Sequence, residues 1–268
     1  MRNVARSPFT LSLIVISIAG VVLLTLPTVA MVIRSLDARD VLNDAAARER
    51  LREAMVLSLG TSLGSLMLVV LFGTPIAWVL ARVDFPGRRV VDALIDLPII
   101  LPPAVAGIAL LSAFGRRGLV GEMLDSFGIT IGFTTTAVVM AQIFVSAPFF
   151  IRTARAGFSR IDATIEEAAA DLGASPWKVF VTITLPLCRA SLVAGAVLAW
   201  ARALGEFGAT IMFAGNRTGV TQTMPLAIYE RFGAGDLPTA LVLSVILLAT
   251  SVAFLVIVRL LGEQGTAR

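Results

Sequence analysis

"RTARAGFSRIDATIEEAAADLGASPWKVFVTITLPLCRAS", residues 152–191, is a polar, helix-forming segment set between two long apolar runs. It is too patterned to be a linker. Asp162 or Thr164 can cap a short helix, and Thr164 and Glu167 have the spacing of a capping box. "IEEAAADL" (165–172) is rich in strong helix formers. Gly173 suits the left-handed position just past a helix end. Ser175 followed by Pro176 reads as an N-cap and the first residue of a second helix. That helix leads through "WKVFVTITLPL" (177–187) toward the next apolar run and is expected to stop near Pro186. The local physics therefore predicts helix, sharp glycine turn, helix. A short helix held out in this way has the shape of a peptide that docks into a groove on another protein.

Working outward, the flanking runs read as membrane spans. The chain has 268 residues, 57% hydrophobic and 15% charged, with a mean hydropathy of +0.90. Soluble domains carry about 25% charged residues, so this apolar excess needs a bilayer rather than a single soluble core. Six runs are long enough to cross about 30 Å of hydrocarbon as helices: 9–33, 54–81, 97–115, 134–151, 190–213 and 237–258. They are continuously apolar, which excludes a barrel. The first follows Arg2 and Arg6. It is longer than the roughly 7–15-residue core of a signal peptide and reads as a span. The stretch 34–53 carries five Arg and five acidic residues. It reads as a polar loop with an amphipathic helix at "DAAARERLREA" (44–54).

Six spans put both termini on one side, in a single transmembrane domain over 1–268 with loop 152–189 on that same side. That side holds twelve basic residues and the other nine, while Arg202 alone lies within a span. The positive-inside rule makes the twelve-residue side cytoplasmic. Basic residues lie at the ends of apolar runs, a pattern of membrane orientation rather than of nucleic-acid binding. The chain has no histidine, which excludes His-based catalysis and His metal ligands. Cys188 is the only cysteine, so no intrachain disulfide is possible. No G-x-x-x-x-G-K-[ST] occurs, so the chain cannot build a P-loop, and any ATPase must be another polypeptide. We expect no catalytic residue, no metal and no cofactor.

Two spans are irregular. In "DLPIILPPAVAGIALL" (96–111), Pro98, Pro102 and Pro103 lack amide donors, so the helix should kink or break. Either a packed kink or a broken helix lining a pathway satisfies that pattern. "WARALGEFGATIMF" (200–213) carries Arg202 and Glu206. In a continuous helix they share one face, in the less favourable order. The stripe Ala201, Gly205, Gly208 and Met212 is mostly small and allows close helix approach. Three readings of the pair stay open: a lock between spans, a gate, or an arginine that touches an anion. Glu206 weakens the third by cancelling the field an anion would feel. The Thr210 hydroxyl and the backbone near Pro102 and Pro103 are further candidates for lining a route.

Glu167-Ala168-Ala169, three residues, Gly173, nine residues, then Ile183-x-Leu185-Pro186 resembles the EAA motif of permease subunits in bacterial binding-protein-dependent ABC importers. "LPIILPPAVAGIALL" (97–111), "ARALGEFGATIMFAGN" (201–216) and "TQTMPLAIY" (221–229) are similar to stretches of molybdate (or tungstate) ABC permeases. Sulfate and thiosulfate permeases are near relatives. The resemblance covers about residues 54–258. It implies an all-α integral membrane protein with six transmembrane helices of the ABC importer permease type and a cytoplasmic coupling-helix loop. It implies a homodimer in the bacterial cytoplasmic membrane, two copies of an ATP-binding subunit, and an extracytoplasmic molybdate-binding protein. Glu166, Glu167, Ala168, Ala169, Gly173, Leu185 and Pro186 would form the ATPase-coupling element. The translocation path would run at the dimer interface between spans three and five, near Pro102, Pro103, Arg202, Glu206 and Thr210. A secondary transporter or channel would instead predict inverted repeats and a self-contained ion site, and no clear repeat is visible. No regulatory domain is expected after the closing "RLLGEQGTAR".

Overall fold

A backbone without water must satisfy its own hydrogen bonds, and here the apolar runs do so as helices. The structure, a computed structural model, describes residues 8–264 and is helical, with no strand among the described residues. The expectations placed on Arg2, Arg6 and Arg268 lie outside them. In chain order the helices are α1 (Pro8–Leu36), α2 (Ala45–Arg82), α3 (Arg88–Ile100), α4 (Pro103–Phe114), α5 (Gly121–Ser126) and α6 (Thr135–Phe158). Then follow α7 (Ala163–Asp171), α8 (Pro176–Val179), α9 (Leu185–Leu204), α10 (Gly208–Phe213), α11 (Met224–Gly233) and α12 (Leu237–Gln264). Five continuous helical stretches, α1, α2, α6, α8–α9 and α12, are long and apolar enough to cross a membrane. The bent pair α3–α4 supplies the sixth apolar segment.

α6 is the centre. Its Phe150, Ile151, Ala154 and Phe158 pack with Val69, Ala77 and Leu80 of α2 and with Cys188 and Ala199 of α9. Nearer its start, Ala137, Val138, Ala141 and Val145 pack with Ala106 and Leu110 of α4 and Ala209 and Phe213 of α10. Gly73 leaves room for the Phe150 ring, since a Cβ there would lie 2.8 Å from its edge. A buried polar stripe on α2 is tied across the bundle: Gln142 Nε2 donates to Thr61 Oγ1 at 3.2 Å, and Met224 N donates to Ser58 Oγ at 2.7 Å. By contrast α1 rests chiefly on α12 and exposes apolar side chains around most of its circumference, as a lipid-facing helix does.

Three expectations change. The amphipathic helix at 44–54 is no separate element: Asp44 caps α2 by accepting from Ala46 N at 3.0 Å, and the helix runs unbroken to Arg82. No glycine or proline separates the charged turns from the apolar ones. The helix after Pro176 does not stop near Pro186. It continues through a π-turn at Phe180–Thr184 into α9, so the Pro176–Leu204 helix is one stretch. A wider turn just ahead of a proline accommodates both its ring and its missing donor. The fifth apolar run, read as one span over 190–213, breaks: α9 ends at Leu204, and α10 begins at Gly208.

The connections sort to two ends of the bundle. The turn after α2 meets the segment after α6, where Arg82 Nη2 donates to Ile161 O at 3.0 Å. At the opposite end Phe133 N donates to Phe213 O at 3.2 Å, and Thr135 Oγ1 donates to Val220 O at 2.8 Å. α2, α6 and the α9–α10 segment therefore run between these two ends.

Candidate functional site

At the first end, residues 159–184 build a projecting loop. Asp162, not Thr164, is the N-cap of α7: its carboxylate accepts from Thr164 N at 3.0 Å. Thr164 lies inside the helix, so the Thr164–Glu167 capping box does not form. The bonds from the Thr164 backbone N–H, and then its hydroxyl, hold the Asp162 carboxyl below the usual aspartate range. Gly173 has φ +87°, and Ala174 N reaches Ala169 O at 3.1 Å while Gly173 N reaches Ala170 O at 2.9 Å. That is a Schellman closure, and it needs the left-handed glycine. Ser175 caps α8 by accepting from Lys178 N at 3.4 Å.

The loop is anchored by one acidic residue of its adjacent pair. Glu166 forms an ion pair with Arg82 at 3.0 Å and accepts from Thr184 Oγ1 at 2.5 Å. It thereby joins α7 to the end of α2 and to the π-turn. Arg82 also sits in the last turn of α2, where a cation complements the helix dipole. Glu167 is exposed, as is Ala168, while Ala169 is half-buried. Leu185 packs against the core around α6, and Pro186 is exposed. Outermost stand Leu172 and Trp177, 90% and 73% exposed. Sequence reasoning missed Arg82, Thr184, Leu172 and Trp177 as partners of the loop. An apolar Leu-Gly turn beside Ser-Pro-Trp was the available signal.

Deeper in the bundle, the two irregular segments meet. α3 and α4 are bent by 119° at the Leu101–Pro102 break. A Cβ on Gly208 would stand 2.4 Å from Pro103 Cβ, and one on Gly107 would stand 2.7 Å from Ala209 O. α4 and α10 therefore touch backbone to backbone, and only glycine permits it. Pro102 and Pro103 are exposed beside this contact.

Arg202 and Glu206 do not share one helix face, because the break at Gly205–Phe207 separates them. They still pair, Arg202 Nη1 to Glu206 Oε2 at 2.6 Å, with the arginine side chain 31% exposed and the glutamate 1%. Glu206 Oε1 accepts from Ala209 N at 2.7 Å. The pair bridges the break: a cation at the C-terminal end of α9 and an anion at the N-terminal end of α10. Each charge complements its own helix terminus. The order that is unfavourable in one helix is favourable across two. Thr210 is fully buried, and its hydroxyl has no hydrogen-bond partner. Among the described residues no cluster of His, Cys, Asp and Glu could hold a metal ion.

Comparison with known proteins adds the family context. Residues 73–264 match the family described as binding-protein-dependent transport system inner membrane component. The chain is 45% identical over 237 residues to the molybdenum transport system permease protein ModB of Mycobacterium bovis, covering 88% of this chain and 89% of that protein. It is 42% identical over 184 residues to the sulfate transport system permease protein CysT of Escherichia coli, covering 69% of this chain and 66% of that one. In fold it is similar to the crystal structure of a bacterial ABC transporter involved in the import of the acidic polysaccharide alginate. That match has a TM-score of 0.75 at 18% identity and covers 99% of this chain and 98% of the other.

Proposed function

This chain belongs to the family of binding-protein-dependent transport system inner membrane components, and we propose that it is the permease through which an ATP-driven importer moves molybdate across a bacterial cytoplasmic membrane. The observation that carries the reading is the anchored loop. Glu166 fixes α7 to the bundle, and Leu172 and Trp177 are left at its tip for a partner to bury. An ATP-binding subunit with an apolar groove matches that tip, and exposed aromatic anchors are what such interfaces are built on. The chain has no P-loop of its own, which calls for that second polypeptide. Two copies of each subunit would complete the transporter. The loop's end of the bundle carries the basic excess and would face the cytoplasm, with both termini. A molybdate-binding protein would dock on the opposite end.

The route for the anion would pass the exposed Pro102–Pro103 break, where α4 meets α10. Arg202 there is neutralised by Glu206, so the pair offers little net field to a dianion. A route that binds weakly suits transport, since cargo must leave as readily as it enters. At equal coverage, 88% and 87% of the chain, ModB of Mycobacterium bovis is 45% identical and the sulfate permease cysT of Chlorokybus atmophyticus 37%, which favours molybdate over sulfate. Sulfate stays as the second reading because the identities, 45% and 42%, are close.

Mild-detergent purification of the chain from its native membranes tests this. An ATPase subunit should co-purify, and its ATP hydrolysis should rise with a molybdate-loaded binding protein more than with a sulfate-loaded one. A chain that purifies without any ATPase overturns the reading, and equal stimulation by sulfate overturns the substrate assignment.

A further inference from the structure

α3 is a separate helix, with Pro98 inside it and a break in helical structure at each end. It begins after Gly87, which has φ +87° and gives no side-chain cap, and it ends at Leu101–Pro102, where the next helix turns away by 119°. Its main neighbour is α6. Val91 and Ile95 rest on the core around α6, and between and beside them stand the only two acidic residues of α3, Asp92 and Asp96. Asp92 pairs with Arg155, and Asp96 pairs with Arg152 at 3.4 Å. The acidic residues are one helical turn apart on α3, and the arginines are one turn apart near the end of α6. The result is a two-rung ladder. Four residues separate the end of α6 from the start of α7.

We propose that this ladder is the strut by which movement of the docking loop reaches the Pro102–Pro103 break, with Asp92, Asp96, Arg152 and Arg155 as its positioning residues. The inference rests on the docking reading given above. Side chains in both rungs are partly exposed, from 28% to 62%. Ion pairs so exposed add little to fold stability. What two parallel rungs do well is fix the register of one helix along another. α6 runs directly into the loop, so a shift of the loop along the bundle axis is a shift of Arg152 and Arg155. With the rungs intact α3 follows. α3 leads to the broken segment, whose α4 is locked to α10 through Gly107 and Gly208. Without the rungs, Val91 and Ile95 remain in contact but can slide, because apolar contacts are not directional.

The test uses the whole complex of permease, ATPase and binding protein in proteoliposomes, with molybdate uptake and ATP hydrolysis measured on the same vesicles. Asp92→Asn with Asp96→Asn should keep the ATPase bound and hydrolysis within about twofold, while molybdate moved per ATP falls at least tenfold. Exchanging the charges, Asp92→Arg with Arg155→Asp and Asp96→Arg with Arg152→Asp, should restore that ratio to within threefold of the unaltered complex. Should the double neutralisation fail to accumulate, Asp96→Asn alone, on the more exposed rung, is read the same way with a threefold loss. Unchanged transport per ATP in the neutralised variant, or an exchanged variant no better than the neutralised one, overturns the strut. An unaltered chain that captures no ATPase overturns the docking reading and the strut together. A bound, hydrolysing ATPase with normal coupling in the variants overturns the strut alone.

Discussion

Arg202 and Glu206 are unequal partners, and their inequality is measurable. Glu206 is buried and also holds the first turn of α10 through Ala209 N, whereas Arg202 reaches partial exposure. Removing the arginine leaves a buried carboxylate without its cation. Arg202→Ala should cost roughly 2–3 kcal/mol, below the 3–5 typical of a fully buried pair because the arginine is not fully desolvated. Glu206→Gln keeps the acceptor for Ala209 N and should cost about 1 kcal/mol. Thermal unfolding in detergent checks the order, and an equal or reversed ranking would contradict the bridge across the break. The glycines beside the pair act by sterics alone. Gly208→Ala drives a methyl toward Pro103 Cβ, 2.4 Å away, and should cost about 1–3 kcal/mol as overpacking does. The same thermal assay reads it, and an unshifted midpoint would mean that α4 and α10 are free to part.

Within the loop, the anchor at Glu166 is separate from the exposed tip proposed to dock. Glu166→Ala removes both ties of α7 to the bundle, so the loop should detach while the spans stay intact. Loss of ATPase binding by at least tenfold, with unchanged permease levels in the membrane, is the expected result in a pull-down. Gly173→Ala forces a side chain into φ +87°, a conformation that costs an L-residue about 1–2 kcal/mol, and should fray the end of α7. Faster amide exchange at Ala169–Leu172 would register it. Much of this element could be read beforehand: Gly173 from its place after a helix-forming run, and Ser175–Pro176 from its cap chemistry. The anchor could not. Glu166 and Glu167 are adjacent in sequence, and only the meeting of α7 with Arg82 and Thr184 decides which of them turns inward. The break after Leu204 was written in "GEFG", two poor helix formers around a charge, but the apolar run on both sides masked it. Pro186 signalled a disturbance but not its form: a helix stop and a π-turn that lets the helix continue both accommodate the same proline.

The whole molecule is a multi-pass membrane protein whose two points of chemical interest lie at different depths. The loop stands at one end, the paired breaks lie within the bundle, and α6 joins them. Its apolar runs marked where six apolar segments lie, because bilayer thickness asks for runs of that length, but not where the helices end: the second begins at Ala45 rather than 54, and the fifth runs over Pro176–Leu204 rather than 190–213. We propose that this bundle imports molybdate only when an ATPase grips the loop. That dependence is tested most directly by ATP-dependent molybdate uptake into proteoliposomes holding the full complex, comparing the unaltered permease with Leu172→Arg plus Trp177→Arg. Both substitutions lie at exposed positions, and the one ring contact they remove is that of Trp177 with Phe180. The expected result is ATP-dependent uptake by the unaltered complex and its loss, by at least tenfold, in the variant, whose permease is inserted at normal levels. Undiminished uptake in the variant, or uptake that proceeds without the ATPase, would contradict it.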